Sequence, residues 1–177
     1  MKGIIAIMNR RSVFFASSIK PVRRFWFTLV LTVLVVVGLS GTAATAYDGE
    51  HLIGVDFSGQ DLTTASFIRT FSRQSNFSNT NLQGVSLNGS HFEDTNFEGA
   101  DLSYATLDGA YFDGSNLTNA VLEGAFAFGT EFQDSIIDGA DFTDVFMREN
   151  TQEELCAIAK GTNPTTGNET RDTLFCD

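Results

Sequence analysis

The groups in this chain best suited to chemistry are carboxylates, two histidines and two cysteines. His91, Glu93 and Asp94 are followed twenty residues on by Tyr111 and Asp113, and twenty further by Glu131 and Asp134. If such groups stack about 5 Å apart, neighbouring carboxylates can share Ca²⁺, which takes several oxygen ligands. The plainer reading is an acidic face that keeps the protein in solution. No Ca²⁺-loop spacing is present, so no metal or other cofactor is expected. Catalysis needs a nucleophile, base or metal held in a concave site. Neither His51 nor His91 has a serine or cysteine partner at a supporting spacing. No phosphate loop, metalloprotease motif or nucleotide fingerprint occurs. The chain is not expected to be an enzyme.

The elements that must position these groups follow an unusual period. In NFEGADLSYATLDGAYFDGSNL, large apolar residues fall at Phe97, Leu102, Leu107, Phe112 and Leu117. Neither the 3.6-residue period of a helix nor the 2-residue period of a strand has that spacing. The register runs from Phe57 to Phe142, and only Ser72 and Ala127 among its centres are not Phe, Leu or Ile. Two residues before each centre stands a small or β-branched residue, with Gln60 the exception. Asp or Asn often precedes the centre and Gly often lies two residues after it. Residues two apart share a face in extended chain, so small residue and centre both point inward. Glycine then relieves a corner. A chain that turns the same way every five residues coils into a solenoid. Sorted by twenty, the centres fall into Phe-rich and Leu-rich columns that face each other, which predicts four sides per coil. Asn76, Asn96 and Asn116 then share one column and can form an amide ladder.

The two weak centres raise a question of register. Phe126 and Phe128 flank Ala127, and Ile68 lies in the outward column of Phe128. Either these residues form an exposed apolar patch that binds a partner, or the register slips and one Phe turns inward. Phe71 beside Ser72 poses the same choice. An empty interior is costly, which favours a slip at both places.

Charge divides the chain in two. Residues 1–46 hold six basic residues and no acid, whereas the rest holds five basic residues and all 22 acids, a formal charge of −17. Arg23-Arg24, the apolar run Phe25 to Leu39 and the small residues ending at Ala44-Thr45-Ala46 are in the order of a secretory signal. The arginine pairs weakly resemble a twin-arginine signal, while the very apolar core favours the ordinary route. The run is shorter than the about 20 residues a membrane span needs, so membrane attachment is expected only if the signal stays uncleaved. In an oxidising compartment Cys156 and Cys176 are expected to pair as a disulfide. The basic residues beyond position 46 are too few for nucleic-acid binding.

TQEELCAIAK (151–160) reads as a helix, with Thr151 and Glu154 as a capping box and Gly161 as its stop. Thr170 is expected to cap a second, short helix carrying Leu174 and Phe175.

GADLSYATLDGAYFDGSNLTNAVLEGAF resembles the A-(D/N)-L-x-x pattern of pentapeptide-repeat proteins, and eighteen consecutive repeats over residues 55–144 carry the likeness. The resemblance implies an all-β solenoid, a right-handed quadrilateral β-helix of about four and a half coils. LCAIAKGTNPTTGNETRDTLFC is similar to the tail of exported, lumenal pentapeptide-repeat proteins of cyanobacteria and chloroplasts, which carry a paired-cysteine cap. The division expected is an export signal at 1–46, the β-helix with an N-terminal cap at 47–146, and a C-terminal helical cap with disulfide at 147–177. The resemblance implies thylakoid lumen or periplasm and brings no enzymatic activity. The function expected is that of a non-catalytic interaction or scaffold protein, monomeric, with a protein partner. Phe126, Phe128, Ile68, His91, Glu93, Asp94, Asp113 and Asp134 are the candidate surface. Some proteins of the family protect DNA gyrase by mimicking DNA with an acidic, rod-like dimer. The export signal and the cysteine-bearing end argue against that alternative here.

Overall fold

The computed structural model describes residues 45–177. The export signal expected at 1–46 lies outside them, except for its last two positions. Parallel bridges join residues twenty apart along the chain, from Ala46–Ser66 to Phe126–Phe146. Each coil is therefore twenty residues, with one bridge on each of four sides. On one side the bridges lengthen into three-residue strands β1 (His51–Ile53), β2 (Phe71–Arg73) and β3 (His91–Glu93), paired in that order in a parallel sheet. This side is called the fourth. The first carries Asn76, Asn96 and Asn116 outside, the second Asn81 and Asp101, and the third Ser66, Ser86 and Thr106.

The local chemistry of one repeat explains its sequence. At Phe97 the amide donates to Asn116 O in the next coil at 2.7 Å, and Phe97 O accepts from Ala100 N at 3.0 Å. That i to i+3 bond closes a β-turn whose third residue, Gly99, has φ +65°, the type II requirement that favours glycine. Non-glycine residues also occupy this corner, Tyr104 at φ 58° among them. The Tyr104 ring lies over Gly124 one coil on, where an added Cβ would sit 2.6 Å from it. Glycine is thus needed at position 124 for a second reason, close approach. The Asp or Asn before each centre accepts from the amide two residues later, as in Ser58 N to Asp56 Oδ1 at 3.0 Å and Thr118 N to Asn116 Oδ1 at 3.0 Å. These Asx turns fix the chain's exit from each bridge.

The centres form the core. Phe77, Phe97, Leu102, Leu107 and Phe112 are wholly buried. Phe57, Phe77 and Phe97 stack at 4.7 and 5.0 Å, as do Phe92, Phe112 and Phe132 at 5.2 and 5.4 Å. The two columns meet edge to face, Phe92 against Phe97 at 5.1 Å, a favoured aromatic geometry. Hydroxyls at the small position donate to the preceding coil's backbone: Ser115 to Phe92 O at 3.0 Å and Thr130 to Leu107 O at 2.8 Å. Outside, the amide ladder expected on the first side is present. Asn116 Nδ2 donates to Asn96 Oδ1 at 3.0 Å, and Asn96 Nδ2 to Asn76 Oδ1 at 3.4 Å. The same register runs two repeats further towards the N-terminus than the eighteen repeats counted, with Tyr47 stacked on Phe67 at 4.9 Å and Leu52 buried.

Neither weak centre causes a slip. Ala127 and Ser72 both point inward and are buried, while Phe126, Phe128 and Phe71 are 52%, 49% and 45% exposed. The bridging bonds explain this correction. Phe126 N donates to Ala105 O and Ala127 N to Phe146 O, both at 2.9 Å, and Phe71 N to Glu50 O at 2.8 Å. A one-residue slip would break this ladder and turn every neighbour to the wrong face. An underfilled centre costs less.

The C-terminal segment begins with α1 (Glu149–Ile158), followed by α2 (Thr170–Thr173). The helix starts differ from expectation. Arg148 is the N-cap of α1 and makes no side-chain cap bond; Thr151 is buried within the helix, so the Thr151–Glu154 box does not form. The chain enters the helix soon after the last bridge at Phe146, which leaves Thr151 inside the first turn rather than at the cap. Glu169, not Thr170, precedes α2, and the Thr170 hydroxyl is buried without a partner. Leu174 is buried beyond α2, whereas Phe175 is 77% exposed at φ 54°. Asn163 is wholly buried and donates to Gly139 O at 2.9 Å and to Asn119 O and Ala120 O at 3.2 Å. Phe142 N donates to Thr173 Oγ1 at 3.1 Å. Burial pushes the Asp141 carboxyl upward, but hydrogen bonds from Thr143, Thr166 and Asn168 outweigh it and hold it below its ordinary range.

Candidate interaction surface

Because each repeat sends one large side chain inward, whatever the protein shows to a partner stands beside the centres. On the fourth side those positions form an aromatic column. His51, Phe71, His91 and Tyr111 stack in order with centroids 5.0, 5.0 and 4.5 Å apart and planes within 12°. The ring faces are spent on each other, so the column offers mainly edges to solvent. Beside it Arg73 and Glu93 pair at 3.2 Å, both more than half exposed. Such a pair contributes about 0–1 kcal/mol.

The acidic residues singled out in the sequence do share this side, but they do not converge. Glu93 faces Arg73, Asp113 is half-buried, and Asp94 and Asp134 occupy corners at φ 50° and 55°. Among the described residues no group of three or more His, Cys, Asp or Glu side chains is placed to hold a metal ion. On the first and second sides, Ser58 and Thr63 donate to Asp56 and Asp61 and hold those carboxyls below their ordinary range.

The third side differs along its length. Its outward columns read Ser66, Ser86, Thr106, Phe126, Phe146 and Ile68, Asn88, Asp108, Phe128, Arg148. Phe126, Phe128 and Phe146 are 52%, 49% and 60% exposed. Phe128 and Phe146 stack at 5.8 Å, and the Arg148 guanidinium lies 4.6 Å from the Phe128 centroid. Ile68 stands three coils above Phe128, with Asn88 and Asp108 between, so the structure does not bring those two together. Phe146 and Arg148 went unnoticed in the sequence, although each lies twenty residues after Phe126 or Phe128. Extending the period past the last clear repeat finds both. Beside Arg148 is an open cleft of about 410 Å³ lined by Glu131, Gln133, Asn150 and Glu154 among others.

At the C-terminal end Cys156 and Cys176 form the expected disulfide, with Cα atoms 5.5 Å apart. Gln152 Nε2 donates to Leu174 O at 2.6 Å and Arg171 Nη1 to Cys156 O at 3.0 Å across the same junction.

A chain that coils every twenty residues through five-residue repeats defines a class of protein, and comparison with known proteins agrees. Residues 75–114 and 105–144 match the family Pentapeptide repeats, in eight copies. A pentapeptide repeat protein from the Arabidopsis thaliana thylakoid lumen, of known crystal structure, is 44% identical; the match covers 79% of this chain and 96% of that one, with a TM-score of 0.45. The thylakoid lumenal 15 kDa protein 1 of Arabidopsis chloroplasts is 58% identical over 38 residues, which is 22% of this chain and 17% of that relative. HetL, a pentapeptide repeat protein involved in heterocyst differentiation regulation in Nostoc sp. strain PCC 7120, is 21% identical over 65% of this chain and 61% of its own, with a TM-score of 0.48. The chain belongs to the pentapeptide-repeat family, whose members are β-helices of the right-handed type, and it is related to proteins of the thylakoid lumen.

Proposed function

We propose that this protein is exported and acts without catalysis, as an interaction or scaffold protein that presents the outside of its solenoid to a protein partner. The compartment is the thylakoid lumen or, in a bacterium, the periplasm. One observation carries the reading: the buried centres satisfy the core, yet Phe126, Phe128 and Phe146 stay exposed together. Contiguous apolar groups on a soluble surface mark binding sites more often than accidents. In this reading residues 1–46 are the export signal, with basic, apolar and small stretches in order. Residues 47–146 are the solenoid, about five coils of twenty residues once the repeats of Tyr47 and Leu52 are included, and residues 147–177 are a helical cap pinned by Cys156–Cys176. The lumenal relatives support the location.

Affinity capture with the chain in a lumen extract tests the reading, with fractionation to locate the chain itself. A partner retained at stoichiometric level is expected. Recovery from the stroma or cytoplasm alone, with no retained protein, contradicts it. The formal charge of −17 beyond residue 46 also suits a DNA mimic. A gyrase supercoiling assay separates the two, and no inhibition is expected.

A further inference from the structure

Resting on the reading that the chain binds protein, we infer that Phe126, Phe128 and Phe146 are the docking surface for a positively charged polypeptide segment that carries large apolar side chains. The patch is local. In the same columns Ser86, Thr106, Asn88 and Asp108 separate Ile68 from the three rings, so the apolar cluster begins at Phe126. It is also ordered: Phe128 contacts both the Phe146 ring and the Arg148 guanidinium of the next coil, and its amide donates to Asp108 Oδ1 at 3.0 Å. Aromatic and arginine side chains held this way lose little freedom on binding and are favoured at interface centres.

Charge selects the occupant. Asp108 adjoins the patch through that bond, Glu123 and Asp144 lie two or three residues before Phe126 and Phe146, and Glu149 follows Arg148. Arg148 keeps its charge over the Phe128 ring, but these four carboxylates outnumber it, while Arg73 and Lys160 are paired with Glu93 and Asp138. The field around the patch is therefore negative. A second copy of this chain, a nucleic acid or an anionic lipid surface would meet repulsion, whereas a basic segment would be steered in. Its apolar side chains would cover the three rings.

The test uses the full chain, a synthetic amphipathic Leu/Lys peptide and a Leu/Glu peptide of the same pattern, with binding followed by anisotropy at low and moderate salt. The Leu/Lys peptide is expected to bind, and the triple variant Phe126→Ser/Phe128→Ser/Phe146→Ser to bind it at least tenfold more weakly with an unchanged melting curve. Should the triple variant fold poorly, the single variant Phe126→Ser is read instead, with a several-fold loss expected. Equal binding by wild type and variant, or equal binding of both peptides, overturns the inference. So does sedimentation showing a dimer, or vesicle binding, that the same substitutions abolish. A lumen protein retained equally by wild type and triple variant leaves the proposed function standing and removes this surface from it.

Discussion

Phe112 and Phe126 are the same residue fourteen positions apart, yet one is wholly buried and the other half exposed. Hydrophobicity does not separate them. Position in the five-residue frame does: Phe112 is a centre, and Phe126 is the residue before one. Along a solenoid each repeat is held by bonds to the coils above and below, so the frame overrides the preference of any single side chain. The comparison gives the inner aromatics to stability and leaves the outer ones available to a partner.

The largest effect expected is in the core. Phe97 stacks on Phe77 and meets Phe92 and Phe112 edge-on. Phe97→Ala should cost about 3–5 kcal/mol in denaturant unfolding, and a loss under about 1 kcal/mol would break the comparison at its inner side. Next comes the disulfide. Cys156 and Cys176 close a separation of 20 residues, so Cys156→Ser/Cys176→Ser should lower stability by about 3 kcal/mol, read as a lower melting temperature that reductant no longer shifts. A smaller effect, opposite in sign, belongs to Ser72. Its hydroxyl is buried without a partner, and Ser72→Ala should stabilise the chain by about 1 kcal/mol.

Acid supplies another probe. The Asp141 carboxyl is held below its ordinary range in the folded chain. Its contribution is full above the unfolded carboxylate pKa of about 4 and is lost as pH falls through the lower folded value. Melting temperature should therefore drop as pH falls below about 4, and Asp141→Asn should make that drop shallower.

Much of the fold was legible because its signal repeats. Phe97, Leu102 and Leu107 announce the period of five, the Phe and Leu columns announce twenty, and the Asn76–Asn96–Asn116 ladder follows from both. Where the repeat stops, so does the legibility. Helix α1 starts at Glu149 because the chain leaves its last bridge at Phe146, a tertiary fact that the Thr151–Glu154 pattern cannot encode. At Ser72 and Ala127 sequence shows only the cost of a small centre, which favours a slip. The opposing cost, a broken ladder of bridging hydrogen bonds, is visible only once neighbouring coils are in place. For the surface, sequence showed Phe126 and Phe128 but not their company. Phe146 and Arg148 lie outside the counted repeats and join the patch by stacking in space.

The central claim is that frame position, not residue type, decides which aromatics hold the fold. Equilibrium unfolding of Phe112→Ser beside Phe126→Ser tests it most directly. The account predicts a loss of about 3 kcal/mol or more at Phe112 and a change within about 0.5 kcal/mol at Phe126. Equal losses, or a larger loss at Phe126, would contradict it.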